Sequence, residues 1–262
     1  MESNRLLNIK HGYNYRDVGG YPIYDGRITK WHQVVRSGNL AKLSLRDQRY
    51  LKEYGVVCDV DLRSKGEVDH EPDRIPYGVK YFFNPIHNSR RPPKIERLRA
   101  QFSSDPTYGH HHMMKVYRNM IDSHHSRRYY RKLFKILLKF GKKGAVLMHC
   151  SQGKDRTGMG VAMLLLTLGV DINTVKRDYL ISQIEMVPYV KLKQNSFRKY
   201  HVNDNFLANI KSLYTVSGDY FDSAMDEIHK RYGTWYRFEH RYLKLSDRKI
   251  TKLQRLYLTD PK

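Results

Sequence analysis

The sequence contains few cysteines and no long hydrophobic run. It holds only two cysteines in 262 residues, too few for a disulfide scaffold and typical of proteins in reducing compartments. No stretch approaches the roughly 18 apolar residues of a membrane-spanning helix. The polar segment from Met1 to Lys10 also lacks the apolar part of a signal peptide. We therefore expect a cytoplasmic protein without a transmembrane segment.

Acidic residues are scarce as well. The chain has 26 Asp and Glu against 48 Lys and Arg, which gives a formal net charge of +22. The electrostatic field of such a positive charge attracts polyanions and speeds their encounter with the protein. Phosphoproteins, phosphoinositides, anionic membranes and nucleic acid all fit this charge. The basic residues are scattered and no nucleic-acid-binding motif is recognisable, so specific nucleic-acid binding is not expected.

The chain also lacks features that divide a sequence into domains. No Pro/Gly/Ser-rich linker, internal repeat or low-complexity segment interrupts it, so we expect one domain over residues 1–262. Apolar runs predict buried strands at 56–62, 79–84 and 145–148. Amphipathic or capped segments predict helices at 44–54, 127–140, 157–168, 172–184, 217–232 and 247–257. The pattern predicts an α/β protein with a mainly parallel central sheet flanked by helices.

The most informative segment is 149–158, which reads His-Cys-Ser-Gln-Gly-Lys-Asp-Arg-Thr-Gly. A cysteine and an arginine are separated here by five residues, between a predicted strand and a predicted helix. Such a loop directs its N–H groups and the positive end of the helix dipole at one point, which makes an anion site. The residues expected to bind a phosphate group are Ser151, Gln152, Gly153, Lys154, Asp155 and Arg156.

Cys150 is the candidate nucleophile. A helix N-terminus and nearby cations lower a cysteine pKa from about 8.5 to roughly 3.5–7.5, so we expect a thiolate at neutral pH. Arg156 has a planar guanidinium group that binds two phosphate oxygens at once. The pair predicts phosphoryl transfer through a cysteinyl-phosphate that water then hydrolyses. Thr157 is placed to hydrogen-bond the sulfur, and His149 is expected to orient the loop.

This decapeptide resembles the active-site loop of cysteine-dependent protein tyrosine phosphatases. Its Lys-Asp-Arg version is similar to the bacterial branch that includes secreted tyrosine and lipid phosphatases of mycobacteria and listeria. Further similar segments lie at 14–20, 25–27, 35–38, 59–64 with Glu67, and 178–182. The resemblance implies a protein-tyrosine-phosphatase-like fold, hydrolysis of phosphotyrosine in proteins, and no cofactor or metal. Because relatives are exported, secretion by a route without a recognisable signal stays open.

The proton donor for the leaving group is harder to predict. Many tyrosine phosphatases use an aspartate on a Trp-Pro-Asp loop, and neither Trp31 nor Trp235 begins one. Asp155 is the family-matched candidate, although the neighbouring cations favour its ionised form and only a bound phosphate dianion opposes them. The other candidates are Asp61, Asp105 and Asp122.

The segment 87–126 is the least regular part of the sequence. The equivalent region of relatives forms a helical lid over the site, so we expect a lid-like insertion here. The histidines at 110–112 and 124–125 have no cysteine or carboxylate at metal-ligand spacing, and no metal site is expected.

Two charged pairs have two interpretations. Arg63 with Glu67, and Arg16 with Asp17, either orient the phosphate loop or are ordinary ion pairs that hold turns. The C-terminal end of the predicted strand 56–62 brings Asp61 and Arg63 to the edge of the sheet at which ligands bind in α/β folds.

Several alternatives stay open. Lys154 and the basic surface make a dual-specificity or phosphoinositide phosphatase the first alternative. A protein that binds phosphorylated ligands without turnover is a second, and a sulfurtransferase or arsenate reductase a third. Cys58 is either a core residue or the partner of oxidised Cys150 in a protective disulfide, which needs Cα atoms within about 7 Å. The sequence does not predict the oligomeric state.

Overall fold

The computed structural model describes residues 5–88 and 99–260. This part of the chain forms a five-stranded sheet in the order β1-β2-β5-β3-β4. All neighbouring strands are parallel except β1 and β2, which are antiparallel. The prediction of an α/β fold with a mainly parallel sheet is confirmed. The strands are β1 (Arg16–Asp17), β2 (Val34–Ser37), β3 (Val56–Asp61), β4 (Lys80–Phe83) and β5 (Ala145–His149).

Helices make up most of the rest of the described chain. The first group is α1 (Leu45–Glu53), α2 (Lys65–His70), α3 (Arg99–Ser104), α4 (Tyr108–Asp122), α5 (His124–Phe140) and α6 (Arg156–Leu168). The second group is α7 (Ile172–Glu185), α8 (Val187–Arg198), α9 (Asp204–Tyr214), α10 (Gly218–Tyr232), α11 (Trp235–Phe238) and α12 (Asp247–Tyr257). A π-helical turn, Glu239–Leu243, joins α11 to the last segment.

The core lies on both faces of the sheet, because successive strand side chains point to opposite faces. Val146 and Met148 of β5 pack into the larger cluster, which helices α4, α5, α6, α10 and α12 complete. Ala145 and Leu147 of the same strand pack into a smaller cluster with Leu51 of α1. Burial on both faces explains why β5 reads as a continuous apolar run.

The sheet brings three strand ends to the same level. His149 at the end of β5 is in register with Ser37 of β2 and with Asp61 of β3. The carboxyl edge of a parallel sheet is where ligands bind in such folds. The loop between β5 and α6 therefore begins at the centre of that edge.

The segment 87–126 holds two helices in its described part. Residues 89–98 lie outside the described residues, and α3 and α4 follow them. Helix α4 buries Tyr117 and Met120 completely in the larger core cluster. The lid function predicted for this segment stays a prediction.

Candidate active site

The loop from Cys150 to Asp155 turns between β5 and the first residue of α6. Asp155 is the N-cap of α6, so the helix N-terminus begins directly after the loop. Gly153 has a positive φ of 68°, and a Cβ there would lie 2.3 Å from the carbonyl oxygen of Ser37. Only glycine therefore fits this close crossing of the loop and the end of β2.

Cys150 lies at the base of this loop and is buried. Burial by itself opposes ionisation of the thiol, but the charge of Arg156 and hydrogen bonds from Thr157 outweigh it and lower the pKa of Cys150. The Thr157 hydroxyl is buried and forms no hydrogen bond to another part of the described chain, so it is available to the sulfur. The geometry thus favours a thiolate, as the sequence predicts.

Arg156 is held by a carboxylate from another part of the chain. Its Nη1 and Nη2 atoms donate to the two Glu67 oxygens at 2.6 and 2.7 Å. Ser151 also donates to Glu67. Although burial opposes its ionisation, the Arg156 charge holds the pKa of Glu67 well below its usual range. The fork of Arg156 is therefore oriented at the mouth of the loop before any ligand arrives.

Glu67 is itself fixed by the start of α2. The Ser64 amide and hydroxyl donate to the same Glu67 oxygen at 2.9 and 2.7 Å, as in a capping box. The sequence suggested Arg63 as the partner of Glu67, and this pairing is wrong. Arg63 instead donates to Asp61 and, at 2.6 Å, to Asp73.

Asp155 has three hydrogen-bond contacts. Both of its oxygens lie 2.8 Å from the ammonium nitrogen of Lys154, whose side chain is fully buried. The hydroxyl of Tyr117 donates to Asp155 Oδ1 at 2.7 Å, and Tyr179 donates to Tyr117 at 2.8 Å. No local sequence motif marks Tyr117, which comes from α4. Tyr179 lies in the segment 178–182, which resembles the family, but the sequence assigned no role to this residue.

The other acid candidates make different contacts. Asp61 is fully buried and bound by Arg63. Asp105 accepts hydrogen bonds from the amide and hydroxyl of Thr107 in an exposed turn. Asp122 pairs with Arg231 at 2.6 Å on the surface.

His149 is buried among carboxylates behind the nucleophile. Its Nε2 atom lies 3.2 Å from Asp59 and from Asp73, and 3.7 Å from Asp61. Its Nδ1 atom faces the Cys150 carbonyl oxygen at 3.3 Å. Although burial disfavours the charge, the three carboxylates raise the pKa of His149 well above its usual value. The ring is thus held between these carboxylates and the Cys150 carbonyl oxygen, which orients the start of the loop.

The same cluster has ligand atoms spaced for a metal. Asp59, Asp73 and His149 offer atoms that lie within 4.8 Å of one another. Arg63 pairs with Asp73 at 2.6 Å, and His149 lies within ion-pair distance of both Asp59 and Asp73, so ion pairs account for the closeness of these three residues.

Residues far apart in the sequence hold the outside of the loop. Asn14 donates to the Gln152 carbonyl oxygen at 3.1 Å, and Arg36 donates to that of Gly153 at 2.8 Å. Arg36 in turn pairs with Asp178 at 2.6 Å. The similar segments at 14–20, 35–38 and 178–182 therefore meet around the loop.

The suggested pair of Arg16 and Asp17 is not formed. Arg16 donates to Asn14 and to the Asp178 carbonyl oxygen. Asp17 accepts instead from the amide of Gly19 and the hydroxyl of Tyr54. The reason is the strand geometry of β1, which points neighbouring side chains to opposite faces.

Cys58 is too far from Cys150 for a disulfide. It is in register with Val146, four residues before the nucleophile on the adjacent strand. A strand rises about 3.3 Å per residue, which separates the two cysteines by roughly 13 Å. Both cysteines are free, and burial raises the pKa of Cys58 to about 12. Cys58 is a core residue.

Comparison with known proteins agrees with this geometry. The model of the tyrosine phosphatase family matches residues 7–259. The chain belongs to this family. The predictions of family and enzyme class from the sequence are thereby confirmed.

Family members from different bacteria are similar over most of the chain. A putative tyrosine-protein phosphatase of Cupriavidus necator is 28% identical over 226 residues, which are 84% of this chain and 78% of the relative. The triple specificity protein phosphatase PtpB of Mycobacterium tuberculosis is 25% identical over 267 residues, covering 87% and 91%. No helix within 5–88 and 99–260 is both long and apolar enough to cross a membrane.

Proposed function

We propose that this tyrosine phosphatase hydrolyses phosphotyrosine in proteins through a cysteinyl-phosphate at Cys150. The observation that carries the proposal is the pairing of a thiol of lowered pKa with an oriented arginine fork. Cys150 and Arg156 lie at opposite ends of one loop at a helix N-terminus, where backbone N–H groups attract a phosphate.

In the first step, the Cys150 thiolate attacks phosphorus while Arg156 and the loop amides stabilise the equatorial oxygens. The S–P bond forms and the bond from phosphorus to the tyrosine oxygen breaks. Asp155 gives its proton to the leaving phenolate oxygen. The Lys154 ammonium lies 2.8 Å from both Asp155 oxygens, and the negative charge of the phosphate attracts it.

In the second step, water attacks the cysteinyl-phosphate and Asp155 takes its proton. The S–P bond breaks, inorganic phosphate forms and the thiolate is regenerated. Thr157 supports the departing sulfur, since its buried hydroxyl is placed on that atom.

Phosphoinositides are the second candidate substrate class. The buried Lys154 beside the loop, the net charge of +22 and the triple specificity of a relative favour it. The family match over 7–259 supports one phosphatase domain. A cytoplasmic location stays a prediction.

The test is hydrolysis in the presence of EDTA of an aryl phosphate, a phosphotyrosine peptide and phosphoinositide vesicles. We expect the wild-type protein to act on the first two. In Cys150→Ser we expect kcat to fall by at least about 1,000-fold, because the nucleophile is missing. Cys58→Ala is the matched control and should keep its activity, because Cys58 lies about 13 Å from the site.

Each unexpected result has a distinct meaning. No turnover of any substrate by the wild type contradicts the enzyme assignment. Full activity of Cys150→Ser contradicts the thiolate mechanism. Turnover of phosphoinositides alone would replace phosphotyrosine with the second substrate class.

A further inference from the structure

Exposed hydrophobic side chains are concentrated where α7 ends and α8 follows. Ile184, Val187, Leu192 and Tyr200 are 68%, 45%, 58% and 66% exposed. Other large exposed hydrophobic residues of the described chain stand apart in the sequence, which is ordinary for a soluble surface. The segment 184–200 is the exception.

One side of α8 is packed and the other is not. Val190 is buried, and Gln194 donates to the Leu207 carbonyl oxygen of α9 at 3.0 Å. Pro188, Leu192 and Asn195 lie on the opposite side, at the i, i+4, i+7 spacing of a helical stripe, and all are exposed. The stripe is thus a helix face without a partner among the described residues.

The charge of this region has one sign. Residues 186–203 contain no aspartate or glutamate. The basic residues in it are Lys191, Lys193, Arg198 and Lys199. Apolar side chains mixed with lysine and arginine, without acids, are the composition of helices that lie in the interface of an anionic bilayer.

The stripe lies next to the phosphate loop. The Tyr189 ring of α8 packs edge to face on Tyr13, with ring centroids 5.0 Å apart. The Tyr13 carbonyl oxygen accepts from Gly38 at 2.9 Å, and the next residue, Asn14, donates to Gln152 of the loop. A surface that binds α8 therefore lies on the side of the phosphate loop that Asn14 contacts.

We propose that the exposed face of α8 binds an anionic membrane and presents the phosphate loop to phosphorylated groups at its surface. The inference rests on the proposed function, since it names where the substrate is found. A bilayer interface accommodates both kinds of side chain, because the apolar tips enter the acyl boundary while the long lysine stems extend to the headgroups.

Sedimentation with lipid vesicles tests the proposal. The vesicles are phosphatidylcholine alone, or phosphatidylcholine mixed with phosphatidylserine. We expect binding to the mixed vesicles only, with loss on addition of salt. Lys191→Gln with Lys199→Gln should weaken binding about 25-fold, or roughly fivefold for each cation removed near the surface. Leu192→Asp should weaken it at least about tenfold, because a charge replaces an inserted side chain.

Matched controls carry the same changes elsewhere. Leu45→Asp changes an exposed leucine at the start of α1, and Lys135→Gln with Lys139→Gln changes exposed lysines of α5. These variants should bind like the wild type. Soluble aryl phosphate turnover should be unchanged in every variant, since none of these residues contacts the loop.

The outcomes separate the inference from the proposed function. The membrane proposal is overturned if the wild type does not bind the mixed vesicles or binds neutral vesicles equally well. It is also overturned if the α5 and α8 changes weaken binding equally. If the α8 variants lose activity on phosphotyrosine proteins but bind vesicles like the wild type, α8 binds an acidic protein instead. That result also overturns the membrane proposal. Absence of aryl phosphate turnover in the wild type contradicts the proposed function and leaves the vesicle result valid.

Discussion

At the scale of single residues, the contacts of Asp155 determine how the acid works. It is bound from one side by the Lys154 cation and from the other by the hydroxyl of buried Tyr117. Burial and the nearby charge of Asp155 raise the pKa of Tyr117 well above its usual value, so this hydroxyl remains a donor. Tyr117 is therefore a positioning residue for the proposed acid, and Tyr179 orients it.

Tyr117→Phe should slow the hydrolysis of aryl phosphates with poor leaving groups about tenfold. A hydrogen bond to a charged group contributes about 1.5–3 kcal/mol, and its loss lets the carboxyl group turn away from the leaving oxygen. Phosphates with good leaving groups need less proton transfer and should be affected less. The measurement is kcat across a series of aryl phosphates of increasing phenol pKa.

Tyr220→Phe is the control for this substitution. Tyr220 is also buried and lies near Tyr117, but its hydroxyl donates to the Ser212 carbonyl oxygen. Equal slowing across the whole series in Tyr117→Phe, or the same leaving-group dependence in Tyr220→Phe, would show that Tyr117 has only a structural role.

At the scale of elements, the start of α2 positions the arginine of a loop 89 residues away. Glu67 binds Arg156 and also completes the capping box with Ser64. One side chain thus joins the stability of a short helix to the geometry of the phosphate site.

Glu67→Gln should reduce kcat/KM for an aryl phosphate about 10- to 100-fold and lower the free energy of unfolding by about 1–3 kcal/mol at pH 7. Because the pKa of Glu67 is lowered on folding, its ionised form contributes stability above the unfolded pKa of about 4.3. That contribution is lost as the pH falls through the lower folded pKa. Urea unfolding at several pH values should therefore show the difference from wild type shrinking as the pH is lowered from 6 to about 3.

The control is Glu53→Gln, an exposed change on α1. It should leave both activity and stability near the wild-type values. A stability difference for Glu67→Gln that stays constant over this pH range would contradict the ion pair with Arg156.

The elements that the sequence predicted are those with local signals. Ser44 is the N-cap of α1, and Gly169 ends α6 with a φ of 98°, which agrees with the helices predicted at 44–54 and 157–168. The pair of α8 and α9 was not predicted. The apolar residues of α8 have only a weak helical periodicity, so the sequence does not reveal this helix, which packs on α9.

The residues of the candidate site also fall into those that local sequence signals predict and those that they do not. Cys150 to Thr157 form one continuous segment, so strand, loop and helix signals were sufficient to predict the loop. Glu67 was suggested to orient the loop, but with Arg63 instead of Arg156 as its partner, and Tyr117 was not suggested, since both meet the loop only through tertiary packing. A single sequence contains no local signal for such a contact.

At the scale of the whole molecule, a buried charged layer joins the N-terminal segment, the phosphate loop and α7. Asp178 of α7 binds Arg36 at 2.6 Å, lies 3.6 Å from Arg16 and accepts from the Tyr21 hydroxyl. Arg36 extends this layer to the Gly153 carbonyl oxygen. The segments 14–20, 35–38 and 178–182, which resemble the family, thus form one layer that supports the phosphate loop from behind.

Asp178→Asn should lower the free energy of unfolding by about 3–5 kcal/mol, because it leaves two buried arginines without their carboxylate. Urea denaturation measures this loss. Asp219→Asn, an exposed change at the start of α10, is the control and should stay within about 0.5 kcal/mol of wild type. An equally small effect of Asp178→Asn would contradict the buried layer.

The central claim is that phosphate passes through Cys150. Rapid quenching of the wild type with an aryl phosphate, followed by peptide mass spectrometry, tests it most directly. We predict one phosphoryl group on the peptide that holds Cys150. With an aryl phosphate whose phenolate leaves without a proton, this group should accumulate in Asp155→Asn, because the attacking water lacks its base there. Phosphate on another residue, or turnover without a phosphorylated enzyme in either protein, would contradict the mechanism.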